Sequence, residues 1–164
     1  MFVADKVLIG VGFDAAKAGL ASLAAGGGLV GASEAAYREG MTGLVWPTAP
    51  GPRPVKAGLA GVRFRDLAES NDGVGLALRW EAIGPDGGLF PVLDADIKLT
   101  WAGEHATVVT VAGTYRPPAQ LAAAGLDRVI VHPVATGTIR IFVLRVADAI
   151  GLLPQAWPDR EGRQ

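Results

Sequence analysis

Three consecutive stretches decide the fold: GVGLALRWEAIG at residues 73–84, LFPVLDADIKLTW at 89–101 and HATVVTVAGTYR at 105–116. Each alternates apolar and polar residues with period two, the signature of a strand with one buried face. Pro85-Asp86-Gly87-Gly88 separates the first pair and Ala102-Gly103-Glu104 the second. Connections this short join only antiparallel neighbours. After Pro117-Pro118 the pattern changes to a helical period that runs to Ile150. A sheet that feeds a long apolar helix has to bury it, and the sheet's apolar face is the available surface. A sheet curled around a helix tends to leave apolar space between them, which points to binding rather than to catalysis.

Upstream, residues 2–13 (FVADKVLIGVGF) read as a first strand, and Asp14 stands where a helix N-cap belongs, ahead of AAKAGLASLAA. Gly26-Gly27-Gly28 stops that helix, and Ser33 is placed to cap a second short one, EAAYREGM. Residues 42–46 read as a short strand, and 47–54 (PTAPGPRP) as an extended loop too rich in proline for a ladder. Alternation resumes at 59–68, with Val62, Phe64 and Asp66 in phase on one face and Arg63, Arg65 and Leu67 on the other. The resulting class is α+β: a curved antiparallel sheet of six to seven strands wrapped around a long C-terminal helix, with two short helices after strand 1. Residues 1–154 make one domain and 155–164 a polar tail.

The chain has 164 residues, half of them hydrophobic, and a net charge of −1. That balance gives no electrostatic footprint for nucleic acid. Cysteine is absent, which removes disulfides, thiol catalysis and thiolate metal sites. The two histidines, His105 and His132, fall on different elements, and no ligand-spaced cluster suggests a metal or other cofactor. The uncharged run 18–33 is too short and too glycine-rich to span a bilayer, and no signal peptide is legible at the start. A cytoplasmic protein is the default expectation.

Several motifs carry competing readings. Gly10-Val11-Gly12-Phe13-Asp14-Ala15 matches a dinucleotide fingerprint, but Asp14 would put a carboxylate where pyrophosphate belongs and no second parallel strand follows. A plain strand-to-helix turn is the better reading. Arg79, Glu81, Asp94, Asp96 and Lys98 look like an acid/base cluster, yet alternation places them opposite Leu76, Leu78, Trp80, Leu93, Ala95, Ile97 and Leu99. They read as a solvated cross-strand ladder. His105 reads as an exposed turn residue. His132 precedes Pro133, so a kink or break is expected near 129–133; His132 there reads as a surface residue, or else as a ligand contact at a cavity mouth.

On the long helix, Leu126, Val129, Ile130, Pro133, Gly137, Ile141 and Leu144 recur at three- and four-residue spacing, the stripe expected to pack on the sheet. Gly137 inside it would allow close backbone approach or leave room for a ligand. Arg140 either snorkels past the stripe or anchors a ligand's acidic group. Tyr115, Trp80 and Trp101 are inward by phase, and a phenol at Tyr115 needs a hydrogen-bond partner.

The order strand, two short helices, antiparallel sheet and long C-terminal helix resembles the helix-grip fold of the START-like (SRPBCC) superfamily. The segments LALRWEAIGPDGGLFPVLDADIKLTWAGEHATVVTVAGTYRPP and LDRVIVHPVATGTIRIFVLRVADAI carry the resemblance, to an uncharacterised bacterial branch of that group. It implies a cavity between sheet and helix for an apolar or amphipathic small molecule or lipid, and no particular reaction. The lining expected of such a cavity is Leu78, Trp80, Leu93, Ile97, Val109, Val111, Tyr115, Val134, Gly137 and Ile141, with Thr138 and Arg140 as further polar contacts. Two alternatives stand beside carriage: a polyketide cyclase- or dehydratase-like enzyme using Tyr115, Arg140 or His132, and a protein-interaction module without a ligand.

Overall fold

A computed structural model of the chain describes residues 1–41, 45–46, 53–54, 58–65, 67–71, 73–83, 92–117, 123, 125 and 127–152. The elements run in the order β1 (Phe2–Ile9), α1 (Phe13–Ala25), α2 (Gly28–Met41), β2 (Val45–Trp46), β3 (Arg53–Pro54), β4 (Gly58–Phe64), β5 (Ala68–Ser70), β6 (Gly73–Ile83), β7 (Val92–Gly103) and β8 (Ala106–Arg116). A π-helical turn, Asp127–Val131, then leads into α3, His132–Leu152. The six-stranded sheet is antiparallel, with order β1-β8-β7-β6-β4 and β5 pairing β6 beyond the end of β4. It curves around α3 in the helix-grip arrangement expected from the sequence.

Period-two alternation sets the inner face of the sheet. Leu76, Leu78, Trp80, Leu93, Ala95, Ile97, Leu99, Val109, Val111 and Tyr115 are all buried. Strand register aligns them in rows: Trp80 pairs with Leu93 and Leu93 with Tyr115, while Leu76 pairs with Ile97 and Ile97 with Val111. The apolar edges of α1, α2 and α3 close over these rows. On the outer face Arg79 meets Asp94 at 3.2 Å and Glu81 at 3.8 Å, and Arg116 meets Asp94 at 3.5 Å. Arg79, Glu81 and Asp94 of the charged cluster thus form the ladder that alternation indicated, with Arg116 added to it.

Several local expectations are corrected. The first strand ends at Ile9, and Gly12, not Asp14, is the N-cap of α1. Asp14 instead lies in the first turn, where its charge suits the helix dipole. The glycine run interrupts the helices for only two residues, because Gly27 takes a positive φ of 76° and α2 restarts at Gly28. Ser33 therefore sits inside α2, fully buried, rather than at its cap. Arg53 and Pro54 do form a small ladder with Trp46 and Val45, at the two-residue length a proline-bearing segment tolerates. Leu67 packs against the core, because β4 stops at Phe64 and the alternation is broken before β5. Trp101 is 66% exposed. The sheet outruns its core there: the last buried residue of β7 is Leu99, and the β7–β8 pairing becomes irregular between Trp101 and Gly103.

The long helix shows the largest difference. Its buried face is Ala135, Thr138, Ile139, Phe142, Val143, Val146, Ala147 and Ile150, continued backwards by Val131. Val129 and Leu144 of the expected stripe are exposed, and so is Pro133. The segment 127–152 carries two apolar stripes at the same period, and the one facing the sheet is offset from the one read first. Leu126 and residues 153–164 lie outside the described residues. With its leading turn the helix is long and apolar enough to cross a membrane by length and composition alone. Its buried stripe is spent on the sheet and α2, as for the core helix of a globular domain.

Candidate functional site

The turn at Gly10–Ala15 is crowded on its Gly12 side by the β7–β8 hairpin. A Cβ on Gly12 would stand 3.0 Å from the Glu104 carbonyl oxygen of the β7–β8 hairpin, and the buried Thr107 hydroxyl donates to the Val11 carbonyl at 2.8 Å. The hairpin thus stands against Val11 and Gly12, while the Cβ position of Gly10 is open. His105 at the hairpin tip is exposed, as expected of a turn residue.

The sheet–helix interface is not equally closed along its length. Ile97, Leu99, Val109 and Val111 are at 0% exposure, whereas Leu93 and Ala95 reach 6% and Ala135, one turn beyond His132 on α3, 7%. The looser end is also where small residues cluster: Ala95 pairs with Gly113, and Ala135 is on the buried face of α3. Of the twelve residues singled out from the sequence, Leu78, Trp80, Leu93 and Tyr115 stand at this end. Ile97, Val109 and Val111 belong to the closed end. On the helix only Thr138 is on the buried face, its hydroxyl donating to the Val134 carbonyl at 2.8 Å. Val134 and Ile141 are half-buried on the flanks and Arg140 is exposed. A Cβ on Gly137 would meet no heavy atom within 4 Å outside its own helical turn, so Gly137 marks no close approach.

Polar groups gather at the looser end. Tyr115, at 1% exposure, places its hydroxyl 3.2 Å from Nδ1 of His132, and the two rings stack with centroids 6.0 Å apart. His132 stands where the π-helical turn passes into α3, immediately before Pro133; near 129–133 the helix changes type and continues without a gap. The Tyr115 hydroxyl also donates to Sδ of Met1 at 3.0 Å, while the chain's α-amino group donates to the Tyr115 carbonyl at 2.6 Å. Two strands away in the same row, Trp80 meets Phe142 edge-to-face at 5.0 Å. Its indole Nε1 is buried and finds no hydrogen-bond partner among the described residues. Leaving a buried donor unsatisfied costs about 1–3 kcal/mol. Phe142 was missed in the sequence reading; the signal for it is the second stripe, Val131, Ala135, Ile139, Phe142, Val146 and Ile150.

Comparison with known proteins finds likeness in solved structures alone: no family model and no curated protein matches. A conserved protein from Geobacillus kaustophilus superposes with a TM-score of 0.49 at 14% identity, over 92% of this chain and 95% of that one. Norcoclaurine synthase from Thalictrum flavum, in complex with dopamine and hydroxybenzaldehyde, gives 0.42 at 8% identity, over 95% and 89%. The Zhui aromatase/cyclase from Streptomyces sp. R1128 gives 0.35 at 10% identity, over 89% and 93%. With TM-scores below 0.5, none of these likenesses assigns a family or a function to this chain.

Proposed function

We propose that this chain binds a hydrophobic or amphipathic small molecule or lipid between the inner sheet face and α3, at the end marked by Leu93, Ala95, Ala135 and Tyr115. The observation that carries the reading is the Tyr115–His132 pair, a phenol and an imidazole held together at the looser end of an otherwise apolar interface. Apolar burial supplies the affinity, at about 25 cal/mol per Å² of ligand surface removed from water. Orientation comes from few polar groups: Tyr115, His132 and the unsatisfied indole N–H of Trp80, which suits a ligand carbonyl or hydroxyl oxygen. Non-denaturing mass spectrometry of freshly purified protein, with its organic extract alongside, tests this. A reproducible extra mass that leaves on extraction is expected, and Trp80→Phe should retain less of it. A bare chain mass, with no binding of fatty acids or aromatic polyketides on titration, would overturn the reading.

The same pair supports a second reading, a cyclase- or dehydratase-like enzyme in which Tyr115 and His132 exchange a proton with an enolisable substrate. Turnover of a poly-β-ketone that vanishes in both Tyr115→Phe and His132→Gln would favour it over carriage.

A further inference from the structure

The outer face of the sheet carries a second feature that the ladder reading does not absorb. A depression of about 660 Å³ opens over β4, β6 and β7. Two rows of the sheet cross it. In one, Arg63 pairs with Arg79 and Arg79 with Asp94; in the other, Ala77 lies between Arg65, whose backbone N–H donates to the Ala77 carbonyl at 3.0 Å, and Asp96. Like charges directly opposite each other on neighbouring strands are destabilising. Arg79 is compensated by Asp94 and Glu81, and Asp94 also takes Arg116. Arg63 and Arg65 meet no carboxylate, and Asp96 meets no cation, among the described residues. The depression therefore has a cationic wall on β4 and an anionic wall on β7. The side-chain methyl of Ala77 forms the floor between them, across two strand spacings, or about 9.6 Å.

We propose that this depression binds a small molecule bearing a phosphate at one end and an ammonium group at the other. Arg63 and Arg65 take the phosphate through their planar guanidinium forks, and Asp96 takes the ammonium. Glu81 and Asp94 are partly neutralised by Arg79 but still disfavour an isolated anion, so the cationic end of the ligand is required. The site lies on the opposite face of the sheet from the proposed apolar site and stands independently of it.

Titration at low ionic strength with O-phosphoethanolamine, inorganic phosphate and ethanolamine, followed by backbone amide NMR shifts, tests the proposal. O-phosphoethanolamine should bind at least tenfold more tightly than either fragment, with shifts centred on Arg65, Ala77 and Asp96. Arg65→Gln should weaken it tenfold or more, and Asp96→Asn should weaken it while strengthening inorganic phosphate. Arg65-dependent co-sedimentation with phosphatidylethanolamine vesicles, without binding of the soluble probe, would place the same chemistry on a lipid headgroup. No binding of probe or vesicle, affinity unchanged in Arg65→Gln, or phosphate as tight as O-phosphoethanolamine would overturn it. All three side chains are exposed, so thermal melts of the variants should match the parent and leave the readout interpretable.

Discussion

Gly40 of α2 lies against Thr138 of α3 so closely that a Cβ on Gly40 would stand 2.8 Å from the Thr138 Cβ and 3.0 Å from its Cα, overlapping the hydroxyl oxygen. The two helices meet backbone to side chain at this point, and Arg145 with Glu39, 2.7 Å apart, ties them further along. Gly137 was expected to allow either a close approach to the sheet or room for a ligand; it makes no close approach, whereas Gly40 makes one to α3. Thr138 is one helical turn from Phe142 on the same buried face, so the contact also helps fix the ring that meets Trp80.

Gly40→Ala should therefore destabilise the fold by about 1–3 kcal/mol, the range for overpacking against atoms that cannot yield. Gly31→Ala in the same helix is the control. No heavy atom lies within 4 Å of its Cβ position, so helix propensity alone applies and the change should stabilise by about 1 kcal/mol. Urea denaturation of both variants checks the opposite signs.

Gly137→Ala should also stabilise, by about 0.5–1 kcal/mol, because the site is helical and open. Retention of any bound apolar molecule should be unchanged, measured by mass spectrometry beside the parent protein.

Tyr37 makes stability sensitive to alkali. It is buried in α2, and burial pushes its phenol well above the ordinary value of 10.0. The folded state thus keeps its proton at a pH where the unfolded chain has lost it. The contribution is complete below pH 10 and declines as pH rises further, by up to about 1.4 kcal/mol per pH unit. Tyr37→Phe should remove that decline, read from urea midpoints on either side of pH 10.

The tryptophans should separate cleanly. Trp101→Ala should change stability by no more than about 0.5 kcal/mol, since the side chain is 66% exposed. Trp80→Ala should cost about 3–5 kcal/mol. Iodide quenching of fluorescence should fall in the Trp101 variant and not in Trp80→Phe.

The inner face of the central strands is legible in the residue order alone. Strict period two admits only two faces, and hairpin-length turns admit only antiparallel neighbours, so Leu76 to Trp80, Leu93 to Leu99 and Val109 to Tyr115 could be assigned inward without coordinates. A departure from regular α-helix before Pro133 was legible for a local reason too, since a proline restricts the residue ahead of it. Which of two apolar stripes on α3 faces that sheet is settled only by packing. Val129, Gly137, Ile141 and Leu144 repeat as regularly as Val131, Ala135, Ile139 and Phe142, and periodicity measures spacing, not direction. The π-helical turn at Asp127–Val131 shifts the phase just ahead of α3, and the partner surfaces on β1, α2 and the sheet then select the second stripe. Tyr115 meeting His132, Gly40 meeting Thr138 and Arg65 facing Asp96 across Ala77 are likewise products of the third dimension. Each joins residues on different elements, whose approach is set by how the elements pack and not by any spacing along the chain.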